Sequence, residues 1–154
     1  MSQEAAAFFR QFNPAWKAFG VYYIGVILFT VGPLINPEAP VSPALSNLLA
    51  TCFAGFVIIK RFTSRYELDA QQVRAEVVFP LRRSMAADIS RITRIDLRRG
   101  ITQRLLGVAH VHIYTAEQPE PVVKLFGVPY PEVFKKILLA RGASDTVVTG
   151  AWRR

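Results

Sequence analysis

The sequence predicts a membrane-anchored α+β protein. Three observations carry that reading: two uncharged apolar runs near the N-terminus, alternating apolar side chains from residue 62 onward, and one amphipathic stripe near the C-terminal end. The 154 residues are 51% hydrophobic and only 19% charged, which excludes a disordered chain. Cys52 is the only cysteine, which excludes a disulfide-stapled scaffold.

No side chain from Ala18 to Ile35 is charged, nor any from Val41 to Ile59. At about 1.5 Å per residue each run reaches roughly 27–29 Å, close to the ~30 Å of a bilayer's hydrocarbon. Buried core helices have shorter uncharged runs, so both segments read as transmembrane helices, 18–35 and 41–59. The loop 36–40 between them is expected outside. Pro37, Pro40 and Pro43 forbid a continuous helix through it. A cleaved signal peptide is the competing reading of the first run, but seventeen residues precede it and a second span follows. Arg10 and Lys17 precede the first span, the loop carries no basic residue, and the other seventeen Lys and Arg begin at Lys60. The positive-inside rule then puts both termini on the cytoplasmic side.

Residues 1–17 form the expected cytoplasmic or interfacial segment. Phe8, Phe9 and Phe12 share one face of a short helix that would lie flat in the headgroup region. Trp16, Tyr22 and Tyr23 suit an interfacial aromatic belt. Gly20, Gly25 and Gly32 on one span, and Ala50, Ala54 and Gly55 on the other, would let the two helices approach closely. Asn47, Thr51 and Cys52 are the polar or soft residues of the second span, and none marks an ion path.

A cytoplasmic domain is expected over 60–142. Phe62, Ser64, Tyr66 and Leu68 alternate with Thr63, Arg65, Glu67 and Asp69; after a turn at Ala70 and Gln71, alternation resumes from Val73 to Phe79 and stops at Pro80. Further strands are expected at 82–87, 94–99, 108–114 and 122–126, with a turn at Gly127–Val128–Pro129. Pro131 suits a first helical position and Glu132 the positive end of the helix dipole. Val133, Phe134, Ile137 and Leu138 form an apolar stripe, and Gly142 a stop. A curled sheet of five to seven strands leaves a mouth for that helix to cap. Residues 143–154 read as a loose basic tail.

Four segments carry a resemblance: Arg65-Tyr66-Glu67-Leu68 just after the two-span hairpin, Ala87-Asp88-Ile89-Ser90-Arg91-Ile92, Arg104-Leu105-Leu106-Gly107 leading into Val108 to Ile113, and Gly127-Val128-Pro129-Tyr130-Pro131-Glu132-Val133. Over roughly residues 18–141 the chain resembles the membrane-anchored bacterial pleckstrin-homology-like family. The resemblance implies a bent antiparallel β-barrel or sandwich capped by a C-terminal α-helix. It also implies a scaffolding or interaction role without enzyme chemistry.

The residues themselves offer little catalysis. His110 and His112 stand two apart on one strand, a spacing that can start a zinc site, yet no Asp or Glu lies between Asp96 and Glu117, so no metal is expected. Ser84, Asp88 and His110 lack any nucleophile-elbow context and make no hydrolase triad. No glycine-rich phosphate loop is present, and no cofactor is expected. The conspicuous feature is arginine: Arg82, Arg83, Arg91, Arg94, Arg98, Arg99 and Arg104 crowd one window in which Asp88 and Asp96 are the only acids. Arginine forks suit phosphates and carboxylates, so these seven are the candidate lipid- or partner-binding residues. A solvated basic face explains them equally well. The window holds no aromatic residue for base stacking, which disfavours nucleic acid. The expected function is a non-enzymatic, membrane-anchored interaction or scaffold module that binds a protein partner with help from anionic lipid. The alternative is an accessory subunit of a larger membrane complex.

Overall fold

The computed structural model describes residues 7, 9–36, 41–79 and 81–145. A 3-10 turn at Trp16–Phe19 runs into helix α1, Gly20–Ile35, and helix α2 spans Pro43–Thr63. With its leading turn, the first helical segment covers the 20 residues Trp16–Ile35, and the second covers 21; both are long and apolar enough to cross a membrane. Only 11% and 17% of their most apolar stretches are buried, so most of this surface meets nothing among the described residues. The second helix begins later and ends later than the uncharged run. Ser42 caps it by accepting the Leu45 N–H at 3.3 Å, Pro43 occupies its first turn, and Lys60 and Arg61 close its last. Phe62 and Thr63 therefore belong to the helix and not to the first strand. Residues 37–40 of the expected loop lie outside the described residues.

The expected small-residue seam is present in part: Ala50, like Ser46 one turn before it, is buried on α2. A Cβ on Gly25 would lie 3.7 Å from the Phe53 ring, Phe29 stacks on Phe53 at 5.7 Å, and Tyr22 lies 5.2 Å from Phe56. Gly20 packs against Leu106, and no described residue lies within 4 Å of where a side chain on Gly32 or Gly55 would begin. Aromatic rings and small residues share the contact between the helices.

Seven strands follow the alternation: β1 Gln11–Phe12, β2 Ser64–Leu68, β3 Gln72–Val77, β4 Arg83–Asp88, β5 Ile92–Arg98, β6 Val108–Thr115 and β7 Val123–Pro129. They form two antiparallel sheets, β1-β2-β3-β4 and β5-β6-β7. The arrangement is a sandwich; no pairing closes it into a barrel among the described residues. In the β2–β3 hairpin Leu68 faces Val73, and the Asp69 N–H donates to the Gln72 carbonyl at 2.9 Å. Pro80 lies outside the described residues. Between β5 and β6 stands a five-residue helix, α3 Ile101–Leu105, where the sequence suggested no helix. The last strand runs on through Gly127 and Val128 to Pro129, where a turn was expected. Helix α4, Pro131–Ala140, follows Tyr130, whose φ of 47° lies in the left-handed region.

The core lies between the sheets. Tyr66, Leu68, Val73 and Ala75 face Ile92, Ile95, Val111, Ile113, Val123 and Leu125, and α4 covers them with Phe134, Ile137 and Leu138. Into this core come Phe9 and Phe12, which are 1% and 7% exposed. Phe9 lies 5.2 Å from Phe134, and Phe12 lies 5.4 Å from Tyr66. Phe9 and Phe12 therefore pack inside the domain and do not lie in headgroups. Gln11 and Phe12 pair with Glu67 and Tyr66 as the edge of the first sheet, because burying two phenylalanines against α4 removes more apolar surface than a frayed end would. Phe8 lies outside the described residues. At the other terminus the expected loose tail is tied down at its start: Ser144 donates to the Ile92 carbonyl at 2.9 Å, and Asp145 accepts from the Ile95 N–H and pairs with Lys135. Residues 146–154 are outside the described part.

Candidate functional site

The seven arginines do not converge. Arg82 and Arg83 stand at the start of β4 in the first sheet, whereas the others follow from the 3-10 turn at Ile89–Arg91 through β5 to α3. Four are matched locally. Arg82 meets Glu76 at 3.0 Å, Arg91 meets Glu117 at 2.9 Å, Arg94 meets Asp96 at 2.8 Å, and Arg99 meets Glu132 at 2.6 Å. Arg94 also lies 4.0 Å over the Tyr114 ring. Such exposed pairs contribute little to stability, about 0–1 kcal/mol each, but they do cancel charge. Arg83, Arg98 and Arg104 are exposed and make no ion pair among the described residues. The free positive charge of the window thus reduces to three separated groups.

His110 and His112 share a face of β6, and that face is the one the hairpin covers. The His110 ring stacks on Phe126 at 4.5 Å; its Nδ1 accepts the Gly127 N–H at 3.2 Å, and its Nε2 lies 2.7 Å from the Gln103 amide. Phe126 in turn packs with Phe19, and Lys60 sits 4.8 Å over its ring. Burial, with help from His112 and Lys60, holds the His110 pKa below its ordinary value. Burial also lowers His112, reinforced by Arg98 and Lys124. The described residues include no group of three or more His, Cys, Asp or Glu placed to hold a metal ion. Ser84 and Asp88 lie on β4 of one sheet and His110 on β6 of the other, so those three form no relay.

The arrangement around His110 is a joint. Ala18, Phe19, Val57 and Val108 form a second apolar cluster, with Tyr22, Leu106 and Phe126 against it. Gly127, at φ +61°, lets β7 approach so closely that a Cβ there would stand 2.3 Å from the Ala18 Cβ. The Ala15 N–H donates to the Gly127 carbonyl at 2.9 Å. The ends of both helices are thereby fixed to the second sheet.

Beside the joint opens a cleft of about 730 Å³. Lys17 and Arg61 line it with Trp16, Leu105, Leu106 and Tyr130, and its lining contains no carboxylate. The Arg61 guanidinium lies 4.3 Å over the Trp16 ring and donates to the Pro14 carbonyl, and its buried Nε has no hydrogen-bond partner. The residues Lys17, Trp16 and Arg61 were not singled out as a site from the sequence, because two of them precede the first helix and the third ends the second.

The family model described as Bacterial PH domain matches residues 19–142. The chain belongs to the bacterial PH domain family. The match takes in both helices, strands β2 to β7 and α4, so the helical hairpin is part of what the family model spans, while β1 precedes it. No curated protein and no solved structure matches the chain. In this PH domain the seven arginines are spread from β4 of one sheet through β5 of the other to α3, whereas the cleft lies where the hairpin ends meet α3.

Proposed function

We propose that this bacterial PH domain protein is a non-enzymatic interaction module anchored in the inner membrane by α1 and α2. In this reading the loop 36–40 lies outside, both termini are cytoplasmic, and the PH domain over 60–142, together with β1, meets a protein partner at the membrane surface. Anionic lipid assists through the arginine window Arg82, Arg83, Arg91, Arg94, Arg98, Arg99 and Arg104, chiefly through the three left unpaired. The observation that carries the proposal is the contrast between the parts. The sheets enclose a complete core of their own, while α1 buries none of its residues. A helix so apolar and so uncovered needs a lipid or protein environment. Lys17, Lys60 and Arg61 stand at the end where both helices join the sheets, as attraction to an anionic inner leaflet requires.

Protease added to intact cells tests the anchoring: the β-rich domain stays whole and is cut only after the cells are opened. Digestion from outside, or a chain that stays dispersed in water without detergent, overturns the proposal.

The second reading, an accessory subunit of a larger membrane complex, is favoured by the open surfaces at Gly32 and Gly55 and by an apolar groove of about 320 Å³ lined by Tyr22, Leu49, Cys52, Phe53 and Phe56. Helices from another chain can approach closely at such places. Gentle solubilisation of native membranes separates the two readings: a defined stoichiometric assembly supports the subunit, and a lone chain excludes it.

A further inference from the structure

We infer that the cleft between the N-terminal turn and α3 holds the phosphate of one anionic phospholipid from the cytoplasmic leaflet, an inference that rests on the membrane-anchored reading. Four features of the cleft point to that occupant. Its two ionisable lining groups of definite charge, Lys17 and Arg61, are both cationic. Arg61 is already aimed by the Trp16 ring and the Pro14 carbonyl, so little side-chain freedom is lost when an anion arrives. Arg61 lines the cleft as a guanidinium, a group that favours a phosphate oxygen.

Position is the third feature. Lys17 lies on the turn that leads into α1, and Arg61 on the last turn of α2, so both stand where the apolar surfaces of the helices end. A phosphate bound there sits at headgroup depth with its acyl chains directed along the exposed helix faces. The fourth feature is the rim. Leu105 and Ile101 on α3 are 88% and 93% exposed, and Tyr130 is 67% exposed. On a five-residue helix, side chains four apart share a face, so Ile101 and Leu105 present one apolar edge. That edge is wasteful in water and suited to glycerol and acyl-chain carbons. A small inorganic anion satisfies the cations but leaves the rim uncovered, which selects the lipid over free phosphate.

The test uses the full chain purified in a zwitterionic detergent-lipid mixture and then incubated with phosphatidylglycerol, phosphatidylcholine or inorganic phosphate. Bound lipid is counted by native mass spectrometry. One phosphatidylglycerol per chain is expected to survive detergent washing, with at least tenfold weaker retention of phosphatidylcholine. K17Q/R61Q loses the bound lipid, whereas R65Q/K136Q, which removes the same charge from exposed positions elsewhere, keeps it. L105S weakens phosphatidylglycerol retention without changing the charge. Because R61Q alters a packed side chain, K17Q alone, at an exposed position, supplies the decisive charge test wherever the double variant misfolds by circular dichroism. Equal retention of the two lipids, equal loss in the K17Q and R65Q/K136Q variants, or displacement of the lipid by millimolar phosphate overturns the inference. A chain that never required detergent instead overturns the anchored reading beneath it.

Discussion

The Tyr66 hydroxyl accepts the Phe126 N–H at 2.9 Å, a hydrogen bond that reaches from β2 of one sheet to β7 of the other. Tyr66 is 1% exposed and lies in the core beside Phe12. Its ring fills the space between the layers while its polar end fixes where the second sheet sits against the first.

Tyr66→Phe keeps the ring and leaves the Phe126 N–H without its acceptor. The expected loss is about 1–3 kcal/mol of stability, measured by denaturant unfolding of the full chain in micelles. The wild-type hydroxyl also titrates late, because burial pushes its pKa up to about 12. A phenol whose pKa is higher in the folded state stabilises that state below the unfolded value near 10 and loses the contribution as pH rises toward 12. Unfolding midpoints that stay flat from pH 9 to 12 in wild type contradict this.

Acid weakens the joint through His110. Neutral His110 accepts the Gly127 N–H at Nδ1, and a proton placed there sets two donors face to face. Its pKa, like that of His112, is lower in the folded chain than the ordinary 6.5. The unfolded chain therefore binds protons first. Stability is full above about pH 6.5 and falls as pH drops through the lower folded values. The thermal midpoint is expected to decline over that range in wild type and to decline less steeply in H110Q/H112Q. Parallel profiles refute it.

Gly127→Ala tests the close approach of β7 to the N-terminal turn. The left-handed φ costs roughly 1–3 kcal/mol for a residue with a side chain, and the collision with Ala18 adds an amount of similar order. Gly107→Ala, at φ +68° with open space around it, carries only the conformational part. Unfolding free energies should rank wild type, then G107A, then G127A. Equal losses in the two variants remove the joint from the account.

Phe12→Ala, or Phe9→Ala, is expected to cost about 3–5 kcal/mol, as large-to-small changes in a core do. A fragment of residues 62–154 lacks both rings and is expected to remain unfolded in buffer, with no near-ultraviolet circular dichroism. A folded fragment would make the N-terminal strand dispensable.

Much of the fold was legible because periodicity is written over many residues. The uncharged runs, the alternation in β2, β3 and β6, and the stripe of Val133, Phe134, Ile137 and Leu138 all extend far enough to show their period. Gln11–Phe12 is too short to show one, and its partner strand lies beyond both helices. Helix α3 is a single turn, started where the Gly100 N–H donates to Gln103 at 3.0 Å, and its apolar residues face outward, against the usual sign of the pattern. Gly127 and Pro129 have the composition of a turn, yet an edge strand tolerates both. The arginine window looked like one surface because the partners that divide it, Glu117 and Glu132, are distant in sequence. The cleft was invisible for the same reason: Lys17 and Arg61 are brought together only by the pairing of the hairpin.

The strand before α1 and the strand after α2 are neighbours, Gln11 against Glu67 and Phe12 against Tyr66. The first sheet cannot be completed until the ribosome has released both helices and their two ends have come back side by side. Completion of the first sheet and pairing of the helices are therefore coupled: β1 can reach β2 only when the two helix ends stand side by side. A chain whose helices were held apart would keep Phe9 and Phe12 in water and offer its unfinished sheet edge to quality-control proteases.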